Sequence, residues 1–154
     1  MNAKYQAILI TLSFFACLLP ASVLWLSLRT IEIASVHENG NHSYILVKNF
    51  PFTDKGRINW WQENKQMLKK RYGVLRPDTD VFFTVIFWDF GDGYKEEGKY
   101  DRLCFDDMTP PANCIEKDKV FTVNYGRNMG LYFITNNKRY LINKDGVIIK
   151  MKDD

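Results

Sequence analysis

The sequence predicts an α+β fold: an antiparallel sheet with one main soluble helix packed on it, preceded by one N-terminal transmembrane helix. Three observations predict this fold: an early uncharged apolar run, one segment with helical spacing of apolar residues, and several β-branched or aromatic segments separated by turns. The 154 residues suit one domain of ordinary size, and the 46% hydrophobic and 15% aromatic content is enough for a core. We therefore expect a folded chain.

The apolar run from Ala7 to Leu28 contains no charged residue. About 22 residues at roughly 1.5 Å each give ~33 Å, enough for a hydrocarbon core of ~30 Å. The sequence thus predicts a short cytoplasmic tail at 1–6, a transmembrane helix at 7–28 and a periplasmic domain at 29–154, with the membrane as a partner through a single span. Two alternatives stay open: a signal peptide cleaved near Ala21, and a lipid anchor at Cys17.

Two cysteines, Cys104 and Cys114, bound a short loop rich in Asp and Pro in the predicted soluble part. An oxidising compartment would cross-link such a pair and stabilise the fold by about 3 kcal/mol in the chain-entropy model. We predict a disulfide here, and free cytosolic thiols are the alternative. Zinc is not predicted, because the spacing is not that of a metal knuckle and His37 and His42 lie far upstream.

The predicted domain begins with a hairpin and a helix. Strands are expected at Ile31 to Val36 and Tyr44 to Val47, on either side of an Asn-Gly turn. Thr53 or Asp54 can cap a helix that runs to about Tyr72, where Gly73 can end it. The apolar residues of this helix recur on one side, so we expect that side to face the sheet.

The segment Val81 to Phe90 is the strongest predicted strand, because both of its alternating sets of side chains are mostly apolar. Such a strand should be central and covered on both faces. One helix can cover one face. The other needs the loop around Cys104 and Cys114, a second sheet layer or a partner.

The rest of the domain is predicted to be a strand near the first of these cysteines followed by an antiparallel meander. The predicted strands are Arg102 to Phe105, Val120 to Val123, Leu131 to Thr135, Tyr140 to Ile142 and Val147 to Lys150, with turns at Asn136-Asn137 and Asp145-Gly146.

Acidic and aromatic residues concentrate between Trp88 and Asp107. Clustered carboxylates can act as acid and base or bind a hard cation, but the spacing of Asp89 and Asp92 is not that of a calcium loop. A solvated hairpin with balancing cations is the favoured interpretation. Nucleophile elbow, zinc-protease and phosphate-loop motifs are all missing from the sequence. We therefore predict no catalytic residues, no metal site and no cofactor.

The same stretch supplies the candidate binding surface. This surface comprises Trp88, Asp89, Asp92, Tyr94, Asp106 and Asp107. Nucleic acid is excluded as its partner by charge: the net charge is +3, and without Lys4 and Arg29, which flank the apolar run, the 21 basic residues fall to 19 against 18 acidic ones. A nucleic-acid footprint needs a clear basic excess.

Four segments resemble the enterobacterial putative membrane protein family of unknown function. They are Trp25 to Ile33, Leu46 to Trp61, Phe87 to Met108 and Asn113 to Lys117. The resemblance implies a small protein of the bacterial inner membrane with one N-terminal span. It brings no established activity and no catalytic residues.

The leading hypothesis for function is a membrane-anchored periplasmic module, not an enzyme, that binds another protein. It could act as an immunity factor against a toxin in the envelope. The missing catalytic set and the aromatic sheet beside an acidic hairpin favour this hypothesis. One alternative is an envelope hydrolase that uses Asp89 and Asp92, and another is an accessory subunit of a membrane complex.

Overall fold

A computed structural model of the chain describes residues 3–27, 29–75 and 82–152. The chain divides into two compact units, Met1–Thr30 and Ile31–Asp154. The described part of the first unit contains helix α1, Ala3–Ser27, with Pro20 inside it. The first residue of the predicted strand Val81 to Phe90 and the side chain of Cys17 lie outside the described residues.

The predicted transmembrane helix at 7–28 is wrong. Helix α1 forms over most of that run, but within the described ranges of the chain we find no helix with the length and apolarity needed to cross a membrane. The prediction rested on an apolar run without charged residues and on the ~33 Å that about 22 residues span as a helix. A spanning helix must meet the requirements for length and for apolarity together. Residue 28, the predicted end of the span, lies outside the described residues.

The second unit is mostly β-structure, with one helix and, over its described residues, a seven-stranded and a two-stranded sheet. Its elements are β1 (Glu32–Asn39), β2 (His42–Lys48), α2 (Asp54–Tyr72), β3 (Phe83–Asp89), β4 (Arg102–Cys104), β5 (Cys114–Glu116), β6 (Lys119–Gly126), β7 (Gly130–Thr135), β8 (Lys138–Ile142) and β9 (Ile148–Lys150). The large sheet has the order β1-β2-β3-β6-β7-β8-β9, and β4 pairs with β5.

The predicted α+β class with an antiparallel sheet is also wrong, because β2 and β3 run parallel, with Ile45 opposite Phe87. The other described neighbours in the large sheet are antiparallel. Helix α2 carries the chain back along the sheet before β3 begins, and a crossover of that length produces a parallel neighbour. The domain is therefore a mostly β unit built on a mixed sheet.

Helix α2 begins and ends where local chemistry predicts. The Thr53 hydroxyl accepts a hydrogen bond from the Gly56 amide at 3.0 Å, which satisfies one of the free donors of the first turn. At the other end Gly73 adopts φ 69°, and its amide donates to the Lys69 carbonyl at 3.2 Å. Both predicted caps are confirmed.

One face of the sheet, here called the helix face, packs against α2. Ile58 and Leu68 of α2 are fully buried there, and the ring of Trp61 meets that of Phe87 edge to face at 6.1 Å. Each large apolar side chain buried in this way contributes about 1.5–3 kcal/mol relative to exposure. The helix face therefore supplies the main core.

The opposite face, here called the hairpin face, is covered next to β1, β2 and β3 by residues 90–116. We call this segment the disulfide layer, because it contains β4, β5 and the predicted disulfide between Cys104 and Cys114, which is confirmed. Phe105 and Ile115 of the layer are buried against Leu46 of β2. The structure thus answers the open question of the second cover with an intramolecular layer.

Candidate functional site

A buried polar network lies under the disulfide layer, centred on His37 of β1, whose side chain is 5% exposed. Its Nδ1 lies 2.9 and 2.8 Å from the two carboxylate oxygens of Asp107, and its Nε2 lies 2.7 Å from the Tyr94 hydroxyl. Because a carboxylate only accepts hydrogen bonds, Nδ1 carries a proton. In the neutral ring, Nε2 then accepts from Tyr94. Both ring nitrogens are therefore engaged.

The layer holds this network in place through stacking and cross-linking. The His37 ring stacks on Phe105 with centroids 3.9 Å apart. Phe105 follows the disulfide residue Cys104, and its amide donates to the Asn113 carbonyl at 2.9 Å. The Asn113 side chain donates back to the Phe105 carbonyl at 3.1 Å. The loop that presents Asp107 is thus closed on itself before it meets His37.

A cavity of about 260 Å³ opens beside this network. It is lined by His37, Glu38, Asn39, Tyr44, Leu103, Cys104, Phe105, Asp106 and Asp107. Three of these carry exposed carboxylates, Glu38, Asp106 and Asp107. We call them the acidic mouth. An aromatic wall with carboxylates at the opening is suited to a cationic side chain.

The structure separates the six residues of the predicted binding surface into different environments. Tyr94 and Asp107 meet on His37, and Asp106 lines the same cavity. Trp88 instead packs in the apolar cluster beneath the layer, and its indole N–H is buried without a hydrogen-bond partner among the described residues. Asp92 is 90% exposed and lies 3.6 Å from the Lys95 ammonium.

Asp89, the last of the six, stands at the end of β3. Its backbone amide donates to the Asp118 carbonyl at 2.8 Å. Partial burial and the nearby charge of Asp118 raise the pKa of Asp89 above its ordinary value, against the opposing effects of the Gly91 amide and Lys48. The fold therefore weakens the acidity of Asp89.

A second polar network joins α2 to the β7–β8 turn. The Asp54 carboxylate accepts from the Tyr140 hydroxyl at 2.6 Å, the Thr135 hydroxyl at 3.1 Å and the Asn136 amide at 3.0 Å. Burial alone would raise the pKa of Asp54, but these bonds and the charge of Lys138 lower it. The bond to the carboxylate, with burial, raises the pKa of Tyr140 to about 12.

Sequence reasoning missed both network centres. His37 has one visible signal, a polar residue directly after apolar Val36 in a predicted strand. Asp107 lies 70 residues away and Tyr94 lies 57 away, so the sequence shows no reason to join them. Asp54 and Tyr140 are 86 residues apart. In the part of the chain that is described, no group of three metal-ligating side chains occurs.

Comparison with known families supplies the identification. The model of the family described as "Enterobacterial putative membrane protein (DUF943)" matches residues 2–152. The chain belongs to this family. The resemblance noted in the four sequence segments is confirmed. No curated protein and no solved structure matches the chain.

Membership in the enterobacterial putative membrane protein family places the chain among proteins of unknown function. It transfers no role to His37, Asp107 or any other residue.

Proposed function

We propose that the domain at 31–152 is a protein-binding module of the enterobacterial envelope, which docks a basic region of another protein on the acidic mouth. The observation that carries this proposal is the clamp of buried His37 on Tyr94 and Asp107, two residues from separate loops. Because the clamp orders these loops before any partner arrives, binding costs less conformational entropy. Carboxylates held at an opening also steer a cationic partner toward it.

Binding fits this site better than catalysis does. A general base needs a ring nitrogen within reach of the substrate. The His37 ring is almost fully buried, and Asp107 and Tyr94 engage its two nitrogens. What remains open to a partner is the carboxylate side, since the Asp107 side chain is 49% exposed. His37 thus acts as a positioning residue for the mouth.

The periplasm is the proposed compartment of this domain. Disulfides persist in oxidising compartments, and the periplasm is the one a bacterial envelope protein would meet. The Cys104–Cys114 bond and membership in a family of putative membrane proteins support this placement. Alkylation of thiols in intact cells should leave both cysteines unmodified unless a reductant is added. Alkylation of both without reductant would rule out the periplasm.

Site-specific cross-linking tests the docking proposal. A photoreactive residue at Asp106 should cross-link one partner in living cells, whereas the same residue at Glu63, exposed on α2, should not. Asp106→Lys should weaken binding of the purified partner at least about tenfold, because it reverses a charge at the mouth. Glu63→Lys makes the same charge change elsewhere and should have no effect. Equal cross-linking at both positions, or unchanged binding by Asp106→Lys, would refute the proposal.

Immunity to an envelope-acting toxin is the more specific version of this hypothesis. It predicts that the cross-linked partner is a toxin with a basic surface, and that cells lacking the protein become sensitive to it. Restoring the gene with Asp106→Lys should then fail to protect, whereas Glu63→Lys should protect fully. Protection by both variants would exclude immunity through the acidic mouth.

A hydrolase centred on Asp89 is the second candidate, favoured by the raised pKa of that carboxyl. A carboxyl that holds its proton more strongly suits a general acid. Against this, its supposed partner Asp92 is almost fully exposed and bound to Lys95. In cells that lack the protein, the Asp89→Asn variant should fail to restore its function if this candidate is correct. It should restore that function fully if the protein acts by binding at the mouth.

A further inference from the structure

The edge of the sheet farthest from the disulfide layer is strand β9. In the described part of the second unit, β9 pairs only with β8. The Asn143 amide donates to the Val147 carbonyl, and the Met151 amide donates to the Arg139 carbonyl. In an antiparallel pair, every second residue directs both its N–H and its C=O toward the neighbouring strand. The residues between them direct both groups away from it. Ile148 and Lys150 therefore present two donors and two acceptors at the open edge.

A groove of about 540 Å³ runs beside this edge on the helix face. It is lined by Asp54, Lys55, Asn59, Tyr140, Gly146, Val147 and Ile148. One wall thus comes from the first turns of α2, and the other from β8 and β9. A volume of this size accommodates several side chains. An edge strand beside a helix is the setting in which folded domains take up an extended peptide as an additional strand.

Two lysines lie at the groove, Lys55 in its lining and Lys150 across the strands from the lining residue Tyr140. Lys55 and Lys150 are exposed, and Lys150 lies on the helix face because it pairs across the strands with Tyr140. The Asp54 carboxylate in the same groove pairs with the Lys138 ammonium at 3.9 Å and accepts hydrogen bonds from Tyr140, Thr135 and Asn136. Lys55 and Lys150 form no ion pair with the described residues, so their charges remain to attract an anionic ligand. Val147, which is 54% exposed, and Ile148 provide apolar contact between them.

We propose that this edge binds an extended acidic peptide segment of another protein, which adds to the seven-stranded sheet as an eighth strand next to β9. The peptide exchanges backbone hydrogen bonds with Ile148 and Lys150. Its apolar side chains enter the groove, and its acidic ones meet Lys55 and Lys150. A second copy of the chain is disfavoured at this edge, because pairing of two β9 strands brings like charges together. The site lies away from the acidic mouth and does not depend on it.

Peptide selection provides the probe for this site. Random peptides displayed on phage are selected on the purified full chain, and an enriched peptide is synthesised. We expect enriched sequences in which acidic residues alternate with β-branched ones. Binding should slow the hydrogen exchange of the Ile148 and Lys150 amides, measured by NMR. The Ile149 amide already faces β8 and should change little.

Charge-reversal variants test whether the lysines at the groove bind a peptide or only prevent this edge from pairing with another copy of the chain. Lys55→Glu with Lys150→Glu should weaken peptide binding at least about tenfold, since it removes both attractions and adds repulsion. Lys70→Glu with Lys99→Glu carries the same net charge at exposed positions outside the groove and should bind as the unmodified chain does.

Four results would overturn the proposal: no enriched peptide, enrichment of basic peptides, equal binding by both double variants, or unchanged exchange of the two amides. Each would leave these lysines with a protective role against edge pairing alone. Sedimentation provides a fifth test, because it shows whether a second copy of the chain occupies the edge instead. A dimer that protects the Ile148 and Lys150 amides without peptide would replace the proposed peptide by a second copy.

Discussion

The two ends of the large sheet, at β1 and at β9, are completed in different ways. Near β1, a cross-linked layer covers the hairpin face, and buried His37 holds the carboxylate of Asp107 at a small opening. At β9, backbone groups of Ile148 and Lys150 have no strand partner among the described residues and lie beside a groove lined by Lys55. The end near β1 presents side chains that are already ordered, whereas the edge at β9 presents backbone groups to a partner. One sheet would thus combine the two proposed modes of recognition, by fixed charges and by strand addition.

Loss of the disulfide should have the largest effect on this contrast. Cys104→Ser with Cys114→Ser should lower the free energy of unfolding by about 3 kcal/mol, because the unfolded chain is no longer restrained by the loop. Urea denaturation of the full chain measures the change. Cys17→Ser is the control, since it leaves the cross-link intact. Equal stability of the double variant and the control would show that the layer does not depend on its cross-link.

Replacement of His37 should have the next largest effect. His37→Phe keeps an aromatic ring to stack on Phe105 but removes the partner of Asp107 and Tyr94, which should cost about 2.5 kcal/mol. The unfolding free energy and the exchange of amides in 105–108 report the loss. His42→Phe alters an exposed histidine of β2 and should change neither. A neutral result for His37→Phe would contradict the clamp.

Tyr140→Phe tests the polar anchor of α2, which is the network of hydrogen bonds around the Asp54 carboxylate. It removes the 2.6 Å bond to the Asp54 carboxylate and should cost about 1.5 kcal/mol near neutral pH. Tyr132→Phe is the matched control, because the Tyr132 hydroxyl has no hydrogen-bond partner among the described residues. Thermal unfolding compares the two variants. Equal melting temperatures would mean that this bond contributes nothing to the anchor.

Asp54 and Tyr140 give the free energy of unfolding a defined pH dependence. The lowered pKa of Asp54 means that its contribution is complete above the ordinary value of 3.8 and is lost as the pH falls through the folded-state pKa. The raised pKa of Tyr140 means that its contribution is complete below 10.0 and is lost as the pH rises to about 12. Tyr140→Phe should flatten the alkaline loss. An unchanged alkaline profile would contradict this assignment.

Gly146→Ala should have the smallest effect. Gly146 has φ +78° in the turn before β9, so a side chain there costs about 1 kcal/mol although a Cβ would meet no atom within 4 Å. Gly126→Ala is the matched control, because that glycine has equal space and no positive φ. Chemical denaturation measures both. An equal or larger loss at Gly126 would contradict the role of the positive φ at Gly146.

Local features of the sequence were predicted well because their causes lie within a few residues. Thr53 and Gly73 define the ends of α2 through contacts made inside single helical turns. Both cysteines of the predicted disulfide are close in the chain, with a separation of 10 residues. The transmembrane prediction is the local one that failed, since within the described ranges no helix is long and apolar enough to cross a membrane.

By itself the sequence determined the family, the caps of α2, the cross-linked loop and the existence of most strands, since each depends on residue types in short segments. Only the tertiary structure decided the parallel pairing of β2 with β3, the clamp of His37 and the open edge at β9. These features join residues that are distant in the chain, as Asp54 and Tyr140 are at a separation of 86. Local propensity carries no information about which distant groups meet, because packing of the whole sheet selects them.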